Sequence, residues 1–325
     1  MRITTLTDPA APDRTNEDAV ALGPDLAVVV DGAGLDKAMR RGCSHSVSWY
    51  SRTLAHEFAL RLAEGPEEHD EDAPAASPGA VPAAGGGAVP AAVEVGVPAA
   101  AEGGGPEAAG RRLGMREALG GAIAAVRDRH ARTCDLAAGS PSGTVAAWRV
   151  RDRTLETLVL CDAAIIVART DAEGSVARAD LTTDLRVHDA VAAKRRELAA
   201  REEAAPVGSA AREEIPLRFR ALDAARNVED GFWCAHHDPA AAEHAIVQQL
   251  PWSDELCVIA ASDGAVRAIL ELGTHTVEEF ADACAHGGED VLASDIRAEE
   301  DRQLDRYRAR GAKVHDDLTL AIGRP

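Results

Sequence analysis

Leu26-Ala27-Val28-Val29-Val30-Asp31-Gly32-Ala33-Gly34-Leu35 is the stretch on which the reading of this chain turns. Five apolar residues in succession, three of them β-branched, describe a strand buried on both faces. The run ends in a carboxylate followed by glycines, which let the backbone approach closely. A carboxylate in that setting suits a metal ion. One Asp-Gly after a strand is an ordinary turn, but here the pattern recurs. Val258-Ile259-Ala260-Ala261-Ser262-Asp263-Gly264 is a second apolar strand ending in Asp-Gly, and Asp316-Asp317 opens a third strand, Leu318–Ile322. Arg14-Thr15-Asn16-Glu17-Asp18 leads into Ala19-Val20 in the same way. Four acidic strand ends spread over the chain point to one shared site.

The 325 residues are 46% hydrophobic and carry a formal charge of −19. That suffices for one large domain or two small ones and argues against nucleic acid or an anionic membrane as the main partner. The six cysteines show no CxxC spacing, which suits reduced, buried thiols in a cytoplasmic protein. The N-terminus has no apolar leader, and no 18-residue apolar run follows. The expectation is a soluble, cytoplasmic, monomeric protein.

Along the chain, the spacing predicts strands at Ala19–Leu22 and Leu26–Val30, then a helix from about Ser44 to Gly65. Residues 65–110 are roughly two thirds Ala, Gly and Pro and lack Lys and Arg, a composition that cannot offset its ordering entropy. We read 65–110 as a low-complexity, disordered insertion within a single domain of residues 1–325. A helix around Leu119–His130 and strands at Thr144–Val150, Leu155–Leu160 and Ala164–Ala168 follow. Next come a charged helix over 187–203, an irregular flap over 204–238, and a helix at Pro239–Gln249. Strand Leu256–Ala261, helices at 265–272, 276–285 and 288–309, and a closing strand complete the pattern. Blocks of strands and helices in this order predict an α+β sandwich in which strands from both chain ends share a sheet.

If Glu17, Asp18, Asp31, Asp263 and Asp316 converge, their mutual repulsion is large: two carboxylates about 5 Å apart repel by roughly 3 kcal/mol at an effective dielectric of about 20. Either protons or cations must relieve it. Without His or Cys at liganding spacing among them, the set favours hard cations, Mg²⁺ or Mn²⁺, over Zn²⁺. Two such ions sharing Asp31 would supply hydroxide at neutral pH, and Arg14 offers a planar donor fork to a phosphate. Together these fit phosphate-ester hydrolysis.

Arg14…Glu17-Asp18, Asp31-Gly32-Ala33-Gly34, Ser142-Gly143-Thr144, Asp162, Ser262-Asp263-Gly264 and Asp316-Asp317-Leu318-Thr319, in this order, resemble the type-2C metal-dependent protein phosphatases, the PPM family. The resemblance spans nearly the whole chain outside 65–110. It implies a four-layer α-β-β-α sandwich with a dinuclear Mn²⁺/Mg²⁺ site between two sheets. By the same resemblance, Asp31 would bridge both tightly bound metals and the Gly32 carbonyl would bind one of them. Asp263 and Asp316 would complete the other, Glu17 and Asp18 would hold metal-bound waters, and Arg14 would hold the phosphoryl group. Asp162 matches a residue that helps form a weak third metal site in many bacterial members.

The chain departs from the family in three places. Ala33 stands where members usually have His or Met, so no histidine acid is available there. Cys161-Asp162-Ala163 replaces Gly-Asp-Ser, and Arg14 lies one residue nearer the Glu-Asp pair. The implied substrate is a phosphorylated protein; a small phosphate ester on the same site, or a binding module without turnover, are the competing readings. Elsewhere, Cys43 and His45 read as a packed thiol and a polar neighbour of a helix cap in preference to a nucleophile pair. His236, His237 and His244 read as solvent-exposed histidines, and the Arg/Glu run 194–203 as a solvated helix face.

Overall fold

Both faces of the strand Leu26–Ala33 are covered, which is why its sequence is uniformly apolar and not alternating. Val28 and Val30 face two helices, while Ala27 and Val29 face a second sheet. Burying each valine contributes roughly 1.5–3 kcal/mol. A computed structural model describes residues 1–33, 42–63, 113–204, 217–310 and 313–325. The 65–110 insertion, Gly34 and Leu35, and residues 205–216 of the expected flap lie outside the described residues.

In chain order the elements are β1 (Arg2–Asp8), β2 (Ala19–Gly23), β3 (Leu26–Ala33), α1 (Val47–Ala63), α2 (Met115–His130), β4 (Ser142–Arg151), β5 (Thr154–Leu160), β6 (Ala164–Thr170) and β7 (Val176–Thr183). There follow α3 (Arg186–Ala204), α4 (Leu217–Ala225), β8 (Ile246–Pro251), β9 (Leu256–Ala261), α5 (Asp263–Leu270), α6 (Val277–Ala285), α7 (Glu289–Arg302), α8 (Leu304–Arg310) and β10 (Leu318–Arg324). Among the described residues the strands form two antiparallel five-stranded sheets, β1-β10-β9-β6-β7 and β2-β3-β4-β5-β8. Strands from the two chain ends share a sheet, but through a strand the sequence did not mark: Arg2–Asp8 pairs with Leu318–Arg324 along its whole length, while the expected strands β2 and β3 lie in the other sheet.

Three apolar layers follow from this arrangement. Tyr50, Leu54 and Phe58 of α1 and Leu119, Ile123 and Val126 of α2 cover β3 and β4. Phe280, Leu292 and Ile296 of α6 and α7 cover the other sheet. Between the sheets lie Val29, Ile165, Val258 and the Trp148 ring, whose Nε1 donates to the Ala321 carbonyl at 3.3 Å. Gly323 leaves room for that ring, since a Cβ there would stand 2.7 Å from it. The result is a four-layer α-β-β-α sandwich.

The sequence expectations need correction at the sheet edges and at some helix ends. Pro239–Gln249 is not a helix: a 3-10 turn at Pro239–His244 gives way to the edge strand β8. β1 and β7 were not foreseen, and both are half-exposed edge strands with Thr, Asp and Arg on the open side. The helix expected over 288–309 is two, α7 and α8, separated at Gln303.

The buried guanidinium of Arg149 donates to the carbonyls of Leu62 at 3.4 Å and Leu113 at 2.8 Å. The last turn of α1 and the segment leading into α2 are thus held side by side from within the domain. Because the two ends are already joined there, replacing residues 66–109 with a short Gly/Ser linker is expected to leave the thermal midpoint and soluble yield unchanged. A large drop in either would show that the segment packs.

Candidate metal centre

The acidic strand ends meet at one edge of the sandwich. β9 and β10 are neighbours, with Ala261 opposite Leu320, and past the end of the ladder Ser262 takes over its hydrogen bonds. Its N–H donates to the Thr319 carbonyl at 3.0 Å, and its Oγ accepts from the Thr319 N–H at 2.9 Å. This lock sets Asp263 and Asp316-Asp317 side by side. Asp31, from the other sheet, reaches the first turn of α5, where its Oδ2 lies 3.4 Å from the Asp263 N–H. A helix N-terminus favours an anion at this point.

The glycines in the two Asp-Gly pairs have a steric reason. A Cβ on Gly32 would overlap the Glu17 carbonyl oxygen and lie 2.7 Å from Val47 Cγ1. A Cβ on Gly264 would overlap the Asp317 carbonyl oxygen. Each Asp-Gly is thereby pressed against another acidic motif, which is how four separate stretches become one site. Asp317 pins the N-terminal turn, accepting from the Ala10 N–H at 2.8 Å and the Glu17 N–H at 2.7 Å. Ser51 on α1 holds the same turn from behind, donating to the Glu17 carbonyl at 2.5 Å.

Electrostatics confirm how tightly the carboxylates are gathered. Burial, then the charges of Asp263, Asp18, Asp316 and Asp162, push Asp31 well above the usual carboxylate range. Asp18 rises to about 7, chiefly through burial and then the charges of Asp263 and Asp317, with the nearby Thr319 and Ser262 hydroxyls opposing the rise. Asp162 also stands at about 7, from burial and the Asp263 charge. Asp263 is raised by burial and Asp316. Among the described residues, the buried Asp18 Oδ2 and Thr144 Oγ1 have no hydrogen-bond partner. A donor set of crowded carboxylate oxygens with an orphaned oxygen among them fits one or two hard divalent cations.

The structure therefore brings together Asp18, Asp31, Asp162, Asp263 and Asp316. Asp31, Asp162 and Asp263 line a cavity of ≈ 120 Å³, and Asp162 and Asp263 also line an opening of ≈ 410 Å³ beside it. A cavity of ≈ 450 Å³ around His236–Asp238 is larger but has no such carboxylate cluster, so chemistry and not volume marks the site. Arg14 is exposed on the turn closed by its N–H to the Ala11 carbonyl at 3.0 Å, and among the described residues no hydrogen bond or ion pair joins its side chain to the carboxylates.

No protein-family model matches the chain, and no curated protein matches it either. Solved structures do match over their full length. The serine/threonine phosphatase of S. agalactiae is 12% identical, with a TM-score of 0.50, covering 100% of this chain and 99% of its own. The chain has the serine/threonine phosphatase fold. Two mycobacterial structures are similar at lower scores. The M. tuberculosis serine/threonine phosphatase PstP/Ppp has a TM-score of 0.49 at 13% identity, covering 99% and 97%. The PPM Ser-Thr phosphatase MsPP from Mycobacterium smegmatis, in complex with cacodylate, has 0.46 at 15% identity, again covering 99% and 97%. At such identities the likeness speaks to fold and not to activity.

Within this phosphatase fold, two features escaped the sequence reading. Arg267, one turn after Asp263 on α5, reaches Asp316 Oδ2 at 3.4 Å and the buried Glu300 at 2.6 Å. Lys313 lies 2.9 Å from Asp316 Oδ1. Glu300 also meets Arg297 at 2.9 Å, and Arg297 meets Asp8 at 2.8 Å, so alternating charges run from β1 to the edge of the site. The i, i+4 spacing of Asp263 and Arg267 was the available signal. The second feature is Cys161, which holds φ at 67° while buried. This is the left-handed backbone that glycine adopts freely and that costs other residues about 1–2 kcal/mol. A non-glycine residue in this conformation stores strain directly beside Asp162.

Proposed function

We propose that the chain is a metal-dependent phosphoric monoester hydrolase acting as a protein serine/threonine phosphatase in the cytoplasm. The observation that carries this reading is the gathering of five carboxylates from both sheets, three of which (Asp31, Asp162 and Asp263) line one cavity, with a mutual repulsion that only protons or cations relieve. The centre would be held by Asp31, Asp263, Asp316 and the Gly32 carbonyl, with Glu17 and Asp18 as an outer ring and Asp162 beside a weaker third position. Bound there, Mn²⁺ or Mg²⁺ would supply hydroxide at neutral pH and screen the charge of a phosphate ester.

The chain's own residues do the rest. The Asp263 N–H fixes the orientation of the Asp31 carboxylate. Asp317 fixes the turn that carries Arg14, Glu17 and Asp18. Arg14, exposed on that turn, is free to close on an arriving phosphoryl group. Ala33 has no ionisable proton to give, so the leaving alcohol would take its proton from water, for which the ≈ 410 Å³ opening beside Asp162 and Asp263 has room. The carboxylates and the metals they would hold do not read the leaving group, so a small phosphate ester is the second reading.

The test is release of inorganic phosphate by the purified full chain, with Mn²⁺, Mg²⁺ or chelator, from Ser/Thr phosphopeptides and from a panel of phosphometabolites. Metal-dependent release from phosphopeptides is expected. Release from phosphometabolites alone would move the proposal to the small-molecule reading, and no metal-dependent release from either would end it.

A further inference from the structure

At the end of the helix pair α1–α2 opposite Leu62 and Leu113, four side chains that the sequence leaves apart come together. The ligand atoms of Cys43, His45, His130 and Cys134 all lie within 4.8 Å of one another. Cys43 Sγ is 2.8 Å from His130 Nε2, and Cys134 Sγ is 3.3 Å from His45 Nδ1. A tetrahedral zinc with bonds of about 2.3 Å to sulfur and 2.0 Å to nitrogen has ligand–ligand edges of about 3.3–3.8 Å. The cluster is therefore already near the size of a coordination shell. Cys43 is the buried thiol expected from the sequence, while His45 is more than a neighbour of a helix cap, since its Nδ1 faces Cys134.

The local structure is built to hold this arrangement. His130 ends α2, and Cys134 follows one turn later with its N–H on the His130 carbonyl at 3.1 Å, so both project from one face. The Asp135 N–H bonds the Gly42 carbonyl at 2.8 Å, and a Cβ on Gly42 would overlap the Asp135 carbonyl oxygen. The two halves of the cluster are thus pinned backbone to backbone. Each sulfur accepts a backbone N–H, Cys43 from His45 and Cys134 from Ser44, both at 3.3 Å. Such donors steady thiolates in metal sites. The His45 ring stacks on Trp49 with centroids 3.8 Å apart, which fixes its orientation.

We propose that Cys43, His45, His130 and Cys134 form a structural zinc site. Two thiolates and two imidazoles are a softer donor set than the carboxylates, and they balance the charge of a divalent ion. All four positions are filled by protein, which makes the site closed and structural. Each cysteine gives up its thiol proton to solvent as the ion binds. The ion joins the start of α1 to the end of α2, opposite the end where Arg149 holds Leu62 and Leu113. The helix pair that backs β3 is then fastened at both ends. This proposal is independent of the phosphatase reading.

The test measures metal content by mass spectrometry on the full chain purified without added zinc, together with the visible spectrum after exchange with Co²⁺. We expect one zinc per chain that survives dialysis against Mg²⁺ and persists in the Asp31→Asn variant. We expect tetrahedral cobalt bands with thiolate charge transfer. The Cys43→Ser/Cys134→Ser double variant is expected to lose both the zinc and the cobalt bands. Zinc content unchanged in the double variant overturns the proposal. So does wild-type protein that takes up neither metal, or one in which the two sulfurs are recovered as a disulfide.

Discussion

Asp31→Asn is expected to lower phosphate release by about two to three orders of magnitude or more, at any Mn²⁺ concentration. Asp31 is the carboxylate that every other acidic motif surrounds: its charge neighbours are Asp263, Asp18, Asp316 and Asp162. An amide in its place retains shape and one acceptor oxygen but cannot neutralise two cations. The same change is expected to raise the thermal midpoint of the metal-free protein, because it deletes the most crowded of the repelling groups. Activity and stability should therefore move in opposite directions, which separates loss of the centre from misfolding. An Asn variant that turns over normally in Mn²⁺ would contradict the role given to Asp31.

The second large effect is on pH dependence. Asp18 and Asp162 stand at about 7 in the folded chain against an ordinary 3.8. Between pH 4 and 7 the metal-free fold therefore holds protons that the unfolded chain has released. The stabilisation is fully present below about pH 4 and is lost as pH rises through about 7. At about 1.4 kcal/mol per pKa unit, the two groups together amount to several kcal/mol. Half-buried His236, lowered to about 2, acts in the opposite sense below its ordinary 6.5. The decisive quantity is thus the difference between Mn²⁺-loaded and chelator-treated protein, in which His236 cancels. Mn²⁺ is expected to raise the thermal midpoint far more at pH 8 than at pH 5, since at pH 5 protons already occupy the carboxylates. An equal rise at both values would show that the carboxylates do not bind the ions.

Apart from the edge strand β2, the strands that sequence made legible are the inner ones. β3, β4, β5, β6, β9 and β10 are apolar on both faces, so their composition alone marks them. β1, β7 and β8 are sheet edges, where Thr, Arg and Gln face outward and the apolar signal drops to a few positions. β8 reads as the tail of a helix for that reason. The carboxylates were legible because each sits at the end of a strong strand. Arg267 and Lys313 were not, because their role depends on Asp316 standing across from them. The histidines show the same limit. His236 is not a solvent-exposed group but bonds Ser140 Oγ at 2.6 Å, and His244 stacks on Trp233 at 3.5 Å. The Cys43–His45 and His130–Cys134 pairs are unremarkable singly and acquire meaning only when α1 and α2 pack.

The most direct test of the centre is the crystal structure of the full chain grown with Mn²⁺, read by anomalous scattering at the manganese edge. Two strong peaks flanking the Asp31 carboxylate, one of them within bonding distance of Asp263 and Asp316, are predicted. An absence of peaks at Asp31, with Lys313 and Arg267 still holding Asp316 in saturating Mn²⁺, would contradict the account.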